Sequence, residues 1–462
     1  MSAPYARRYP VGAEPCGEGR TSFRVWAPSS RTAELVLDDG RSETMHAEPG
    51  GWFALETACA TGRGYRFRFD GAAPVPDPAS RAQRGGIDGD SVVVDAAAYA
   101  WRNPRWRARP WRDSVIYELH VGACGGYAGV RRLLPRLADL GVTTVELMPL
   151  AEFAGTRNWG YDGVLPFAAC SAYGTPDELR ALVDDAHGHG LAVMLDVVYN
   201  HFGPLGNHLG AYAKAFFRDA ATPWGQAIDF RRDEVRAFFV ANARCWIEEY
   251  RFDGLRFDAV HTIEPNDWLA DLAHVLRRSV ERPLHLVLEN DANSARLLEN
   301  GFDAQWNDDF HHAVHVLLTG ETGSYYRDYA HDPARHLART LAEGFAYQGE
   351  HSAHRDAPRG EPSAQLAPSA FVAFLQNHDQ VGNRAFGERL SALAPPAALR
   401  VATALLLLSP QVPLLWMGQE WGSRRPFLRR RYRASGTSLA ATGCTSSRLT
   451  TSGRRSGRSW RA

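Results

Sequence analysis

Over residues 1–100, apolar and polar side chains alternate with a period of two in several short runs. Such alternation is typical of strands that have one buried face and one exposed face. Turn residues separate the runs at short intervals, which indicates a small β-sandwich. The predicted strands are 23–26, 33–37, 52–55, 65–69 and 91–95.

From residue 113 onward, short apolar runs alternate with segments of helical periodicity. Buried strands linked in turn by helices are the pattern of a (β/α)8 TIM barrel. The eight predicted strands are 115–121, 143–150, 192–198, 254–260, 284–288, 302–306, 370–375 and 412–417. The predicted helices between them include 133–140, 177–189, 234–250 and 267–278.

These patterns predict four parts of the chain. Residues 1–97 form the sandwich, and residues 98–112, rich in Trp, Arg and Pro, form a linker. Residues 113–427 form the barrel, which we expect to be incomplete at its last helix. Residues 428–462 contain nine arginines, no Asp or Glu and hardly any large apolar residue, so they cannot bury a core. We interpret them as a disordered basic tail or as the product of a reading-frame shift.

Composition narrows the class of protein. A hydrophobic content of 45% with 23% charged residues is typical of a soluble globular protein. The formal net charge is zero, which does not favour nucleic acid or an anionic membrane as a partner. The six cysteines show no C-x-x-C pair, and residues 1–20 contain no apolar core of a secretion signal. The expected location is the cytoplasm, with no membrane span.

Ionisable residues gather at the carboxyl ends of four predicted strands, where a TIM barrel carries its active site. The segments are DVVYNH at 196–201, GLRFDAVH at 254–261, LVLEND at 286–291 and FLQNHD at 374–379. Burying charge there is costly unless the charge is used. A single Asp at a strand end is more often a helix cap, but four ionisable strand ends are hard to explain in that way.

Glycoside hydrolysis accounts for these residues, since it needs one carboxylate facing the anomeric carbon and one acid reaching the leaving oxygen. Asp258 lies two residues after Arg256, so both side chains point inward from one strand. Glu289 ends the next strand and is the candidate acid. The further candidates are Asp379, His201 and His378 as groups that hold sugar hydroxyls, and Asp196 and Asn200 as structural residues at the site.

The four segments resemble, in order and spacing, the signature regions of the α-amylase family of glycosidases, glycoside hydrolase family 13. The resemblance implies a retaining hydrolase with Asp258 as nucleophile, Glu289 as proton donor and Asp379 as stabiliser of the transition state. It also implies a set of sugar-contacting side chains. They are Tyr161 in NWGYDG at 158–163, His201, Arg256, His261 and His378.

Several stretches resemble most closely the trehalose-releasing members of this family, among them YELHVG at 117–122 and QWNDDFHH at 305–312. That resemblance implies maltooligosyltrehalose or a related α-glucan as substrate. We expect no cofactor, and no metal because the sequence shows no convincing set of metal ligands. FRVWAP at 23–28 resembles the start of the immunoglobulin-like, glucan-binding-type module that precedes the barrel in such enzymes. Family members continue into a C-terminal β domain, which the arginine-rich tail replaces here.

Two alternatives remain open from the sequence. One is a glycogen branching or debranching enzyme, which uses the same chemistry on another α-glucan. The other is a damaged and inactive relative, because the tail stands where the last helix of the barrel is expected.

Overall fold

The structure is a computed structural model and describes residues 5–428. Apart from Leu428, the predicted tail lies outside the described residues. The described residues form a β-sandwich followed by a closed eight-stranded barrel, so the predicted fold class is confirmed. Among these residues, no helix combines the length and the apolar character that crossing a bilayer requires.

The sandwich consists of two antiparallel sheets that enclose Phe23, Leu35 and Phe67, all fully buried. The first sheet contains, in spatial order, Gly12–Gly17, Arg20–Trp26, Trp52–Ala58 and His46–Glu48. The second contains Ser42–Thr44, Ala33–Leu37, Gly64–Phe69, Asp90–Val92 and Gln83–Arg84. The five predicted strands are all present, and the short edge strands are additions that the alternation did not show.

The barrel has eight parallel strands, and each lies within one of the predicted runs. Strands 1 to 8 are Ile116–Leu119, Thr144–Leu147, Ala192–Val197, Gly254–Phe257, His285–Leu288, Ala304–Trp306, Phe371–Phe374 and Val412–Trp416. Strand 8 pairs with strand 7 on one side and with strand 1 on the other, which closes the barrel. The strands are shorter than the apolar runs because the run ends belong to the loops.

Helices follow the strands around the outside of the barrel. The longer ones are Gly126–Leu140, Pro176–Gly188, Asp233–Glu249, Trp268–Ser279, Asp308–Thr319, Pro333–Glu343 and Pro396–Leu408. The short ones are Leu209–Tyr212, Ala295–Glu299, His378–Gly382 and Leu390–Leu393. At the second long helix, Thr175 and Glu178 form a reciprocal capping box, which fixes where that helix begins.

Three small hairpins extend from the loops of the barrel. They are Ala151–Phe153 with Gly163–Ala169, Phe217–Thr222 with Gly225–Ile228, and His351–Ser352 with Ala357–Pro358. After strand 8 the described chain forms a 3-10 turn, Gln419–Trp421, and no α-helix follows within residues 5–428. The helix before that strand exposes much of its apolar surface, with Leu408 85% exposed.

The sandwich and the segment after it both pack against the barrel. Phe69 of the sandwich stacks on Tyr212 at a ring distance of 4.2 Å. In the predicted linker, Trp106 stacks on His187 and donates a hydrogen bond to Asp253 at 3.0 Å. These contacts leave the carboxyl ends of the strands as the open end of the barrel.

Candidate active site

Strands 3, 4 and 5 place the central acids through continued backbone pairing. Asp196 on strand 3 lies beside Arg256 on strand 4. The backbone N–H of Asp258 donates to Val197 at 3.0 Å, and that of Glu289 donates to Phe257 at 2.9 Å. The positions of these side chains are therefore set by the sheet and not by a free loop.

The guanidinium of Arg256 lies at the centre of the site and is fully buried. Its Nη1 donates to both oxygens of Asp196, at 3.0 and 2.9 Å, and to Asp258 Oδ1 at 2.8 Å. Its Nη2 donates to Glu289 Oε2 at 2.8 Å. The guanidinium also lies over the ring of Trp306, 4.2 Å from the centroid. One cation thus holds three carboxyl groups next to one another.

The hydrogen bonds define which oxygens of the two central acids remain available. Asp258 is held at both oxygens, because Asn200 Nδ2 donates to Oδ2 at 2.9 Å while Arg256 donates to Oδ1. Glu289 Oε2 accepts from Arg256 and from the backbone N–H of Ala259 at 2.9 Å. Ala259 adopts a left-handed conformation, with φ of 41°, that turns this N–H toward Glu289. The remaining oxygen, Glu289 Oε1, is the one that can carry a transferable proton.

A second chain of hydrogen bonds runs beneath the cleft from strand 3 to strand 1. The Tyr161 hydroxyl donates to Asp196 Oδ2 at 2.5 Å and lies 2.8 Å from His378 Nε2. His378 Nδ1 lies 2.5 Å from Glu118 Oε1. Burial lowers the pKa of His378, but the charges of Asp379 and Glu118 outweigh it and raise the pKa to about 9. A cationic His378 therefore lies beside the cleft at neutral pH.

Burial shifts the pKa of Asp196 upward, the opposite direction from its effect on His378. It raises the pKa of this carboxyl group to about 7, although the charge of Arg256 lowers it. Glu146 on strand 2 lies deeper in the barrel, and its pKa is raised well above the usual range by burial and then by Glu118. Neither oxygen of Glu146 has a hydrogen-bond partner among the described residues. We interpret Glu146 as a neutral acid of the barrel interior.

The structure brings the sequence-predicted site residues together around one cleft of about 350 Å³. Seven of them line it, namely Tyr161, His201, Asp258, His261, Glu289, His378 and Asp379. Arg256, Asp196 and Asn200 lie behind this lining and hold it in place. Among residues 5–428, no group of three or more His, Cys, Asp or Glu side chains is arranged to hold a metal ion.

Three of the predicted residues contact protein groups as well as the cleft. His201 Nε2 lies 2.9 Å from the carbonyl oxygen of Tyr161. His261 Nδ1 accepts from the backbone N–H of Asp291 at 3.3 Å. Asp379 Oδ1 accepts from Asn383 at 3.0 Å, and its Oδ2 lies 3.5 Å from His378 Nε2. Each side chain is therefore oriented before any sugar is bound.

Sequence reasoning did not single out several other residues of the cleft. Trp224, on a hairpin after strand 3, stacks on His201 at 4.9 Å. The opposite wall is built from the loops after strands 5 and 6 and includes Asp291, Asp308, Tyr325 and Arg355. Asp308 lies two residues after the end of strand 6, in the region after a strand where the other acids were found. The same pattern of an acid after a barrel strand therefore also indicates Asp308.

Two family models match the chain. The model for the catalytic domain of α-amylase matches residues 88–215. The model for carbohydrate-binding module 48, the N-terminal domain of isoamylase, matches residues 10–97. The two matched segments correspond to the first part of the barrel with the segment before it, and to the sandwich.

Curated relatives match over most of the chain. A malto-oligosyltrehalose trehalohydrolase from Arthrobacter ramosus is 41% identical over 428 residues, which cover 88% of this chain and 74% of that protein. One from Deinococcus radiodurans is 40% identical and covers 90% of this chain and 71% of the relative. A 1,4-α-glucan branching enzyme from Nocardia farcinica is 36% identical, over 52% of this chain and 36% of its own length.

Solved structures show the same architecture. A Salmonella typhimurium protein with the provisional name α-amylase superposes with a TM-score of 0.89 at 45% identity, over 93% of this chain and 76% of its own. A pullulanase from Anoxybacillus superposes with a TM-score of 0.72 at 21% identity, over 90% of this chain and 68% of its own, and shares the fold. By its similarity to the trehalohydrolases, the chain belongs to the malto-oligosyltrehalose trehalohydrolase family of α-amylase-type glycoside hydrolases.

Proposed function

We propose that the protein hydrolyses the α-1,4 bond next to the terminal trehalose unit of maltooligosyltrehalose and releases free trehalose, with retention of configuration. The observation that carries the proposal is the sharing of one buried guanidinium by Asp258 and Glu289. Retaining enzymes place their two carboxyl groups roughly 5–5.5 Å apart, closer than inverting enzymes do. The printed names of the similar trehalohydrolases support the choice of substrate.

In the first step, Asp258 attacks the anomeric carbon while Glu289 protonates the leaving oxygen. Arg256 and Asn200 orient Asp258 through a hydrogen bond to each oxygen. The proton comes from Glu289 Oε1, because Oε2 already accepts two hydrogen bonds. The bond from the anomeric carbon to the leaving oxygen breaks, trehalose departs, and a covalent β-glucosyl ester forms on Asp258.

In the second step, Glu289 acts as a base and takes a proton from water, which attacks the anomeric carbon and releases Asp258. The oxocarbenium-like transition states carry positive charge on the sugar, which the Asp379 carboxylate stabilises. Tyr161 and His378 form the floor of the site beneath that sugar. His201 and His261 complete its lining near the hydroxyl groups.

A branching or debranching enzyme is the weaker alternative. The branching-enzyme match covers 52% of this chain, whereas the trehalohydrolase match covers 88% at higher identity. The two activities differ in their products, because a branching enzyme transfers glucan chains and releases no trehalose.

The test is product analysis by chromatography on two substrates, maltooligosyltrehalose and amylopectin. We expect the protein to release trehalose from the first and to leave the branch points of the second unchanged. Asp258→Asn and Glu289→Gln are each expected to lower trehalose release by roughly 10⁴-fold. Unchanged activity in either variant, or transferred branches without trehalose, would contradict the proposal.

We further propose that the protein acts in the cytoplasm on a dissolved α-glucan. The cysteines at 59, 170 and 245 are free and buried, which suits a reducing compartment. Burial raises the pKa of the Cys59 thiol to about 11, so this thiol is unreactive at neutral pH.

A further inference from the structure

Four consecutive strands of the barrel each end near an acid that lines the cleft. Asp258 follows strand 4, Glu289 follows strand 5 and Asp379 follows strand 7. Between the last two, strand 6 ends at Trp306, and Asp308 follows it as the first residue of helix Asp308–Thr319. The three acids assigned above thus leave a fourth cleft acid without a role.

The backbone on both sides of Asp308 is held firmly. Asn307 donates its N–H to Val372 at 2.9 Å and its side-chain amide to Gly344 at 2.9 Å. Asp309 is buried and accepts hydrogen bonds from Asn293 at 2.9 Å and from Arg359 at 2.8 Å. With both neighbours fixed, Asp308 is presented to the cleft by a rigid segment.

Asp308 also differs from the other acids of the cleft in its contacts. Asp258 and Glu289 share Arg256, and Asp379 accepts from Asn383. Asp291 forms an ion pair with Arg355, and Asp328 accepts from Ser352 and His354. Among the cleft acids within residues 5–428, Asp308 alone has no hydrogen bond or ion pair to the protein. Its hydrogen-bonding capacity is therefore available to a ligand.

The order of the barrel strands places Asp308 on the other side of Glu289 from the nucleophile, because strand 5, which ends just before Glu289, lies between strands 4 and 6. Burial raises the pKa of Asp308 well above its usual value, and the negative charges of Glu289 and Asp291 raise it further. The charge of Arg359 acts in the opposite sense. Asp308 lines the cleft together with Asp291 and Arg359. Since Glu289 protonates the leaving oxygen, this side of Glu289 is where the departing sugar would lie.

We propose that Asp308 binds hydroxyl groups of the departing disaccharide and thereby selects a terminal trehalose over a terminal maltose. This assignment rests on the proposed function and names a specificity-determining residue for it. The two disaccharides differ in their linkage, since the second glucose of trehalose is joined through its anomeric carbon. Its hydroxyl groups are therefore presented in other directions than those of the second glucose of maltose.

A carboxyl group suits this task. Its two oxygens can contact neighbouring hydroxyl groups together, and in the protonated form it donates one hydrogen bond while accepting others. A hydrogen bond made by a buried polar group also discriminates strongly, because a substrate without the matching hydroxyl leaves that group unpaired. An apolar wall would distinguish the two disaccharides much less.

The test compares kcat/KM for maltopentaosyltrehalose with kcat/KM for maltoheptaose, which has the same number of glucose units. Asp308→Ala is expected to lower kcat/KM for the trehalose-ended substrate by roughly 10- to 100-fold, the usual effect of losing such a hydrogen bond. For maltoheptaose we expect a change of less than about threefold. Asp308→Asn keeps the shape and much of the hydrogen bonding, so we expect it to lose less than the alanine variant.

Asp233→Asn is the matched control, because Asp233 is also the first residue of a barrel helix but is exposed and outside the cleft. It reports any effect of removing an acid from a helix start. An equal loss on both substrates, or no loss on either, would overturn the assignment of Asp308. The unsubstituted protein decides the proposed function separately, since a failure to release trehalose would reject that function whatever the variants do.

Discussion

The outer helices that precede strands 4 and 8 use their apolar residues very differently. Helix Asp233–Glu249 buries ten of its residues, including Phe238, Phe239 and Trp246. Helix Pro396–Leu408 is the more apolar of the two, but it buries only Ala402 and Leu406. Strand 8 is nevertheless fully paired on both sides. The barrel sheet is therefore closed at strand 8 although the helix before that strand is largely exposed.

The difference shows which part of the barrel supports the chemistry. Strands 3 to 5 carry the ion pairs around Arg256, and the helix between strands 3 and 4 is packed tightly behind them. Strand 8 contributes none of the three proposed catalytic acids. We infer that the geometry of the site depends on the arc formed by strands 3 to 5 and helix Asp233–Glu249. It depends little on the exposed helix Pro396–Leu408. Substitutions in the two regions should therefore have unequal effects.

The largest effect is expected from Arg256→Leu. The substitution leaves Asp196, Asp258 and Glu289 without their shared cation, and breaking a buried ion pair costs roughly 3–5 kcal/mol of stability. We expect both a loss of trehalose release and a lower melting temperature by calorimetry. Arg256→Lys restores a charge but not the planar fork, so it should recover stability more than activity. An active Arg256→Leu variant would contradict this account of the site.

Trp246→Ala should come next. Trp246 is almost fully buried in helix Asp233–Glu249, and removing such a side chain costs roughly 3–5 kcal/mol through the cavity that it leaves. Denaturant unfolding should show this loss, while any remaining folded protein retains its KM. A loss below about 1 kcal/mol would mean that this arc is less tightly packed than its burial indicates.

Glu118→Gln should have a smaller and pH-dependent effect. It removes the buried charge that helps to hold the pKa of His378 near 9, above its ordinary 6.5. A raised histidine pKa stabilises the folded protein fully below pH 6.5, and this stabilisation is lost as the pH rises through about 9. The variant should lose stability at neutral pH, by roughly 1.5–3 kcal/mol. The unsubstituted protein should lose the same contribution only at higher pH.

Melting temperatures measured between pH 6 and pH 10 check this prediction. The other charged or titratable groups around His378 are Glu146, Asp196, Arg256 and Asp379, with Tyr161 and His120 beside them. Asp379→Asn is a useful comparison because it removes the other negative charge that raises the pKa of His378. If Glu118→Gln left the pH dependence of stability unchanged, His378 would not be the group responsible.

The smallest effect is expected from Leu408→Ser. This side chain is 85% exposed on helix Pro396–Leu408, so its replacement should change the stability by less than about 0.5 kcal/mol. Activity should be unchanged, and solubility should improve because exposed apolar surface is reduced. A loss comparable with that of Trp246→Ala would show that the exposed helix is covered in solution, and the contrast between the two regions would disappear.

Much of this arrangement could be predicted from the sequence. The eight apolar runs located the barrel strands because buried parallel strands are continuously apolar. Arg256 and Asp258 were predicted to share a face from their spacing of two, and the structure places both on one ion-pair network. Local periodicity is enough for such features, since each depends on residues close together in the chain.

Other features depend on distant contacts that no local pattern shows. The partnership of Glu118 with His378 joins strand 1 to strand 7. Asp308 has no hydrogen bond or ion pair within residues 5–428, because a nearby donor such as Arg359 binds the neighbouring Asp309. Helix Pro396–Leu408 buries only Ala402 and Leu406. Its apolar sequence alone would have predicted burial.

The most direct test of the central claim follows the first seconds of hydrolysis by proton NMR. With maltooligosyltrehalose as substrate, the account predicts free trehalose together with a glucan whose new reducing end appears first as the α-anomer. That result requires two displacements and therefore a nucleophile, the role proposed for Asp258. A new reducing end that appears first as the β-anomer would contradict the account, as would the absence of trehalose.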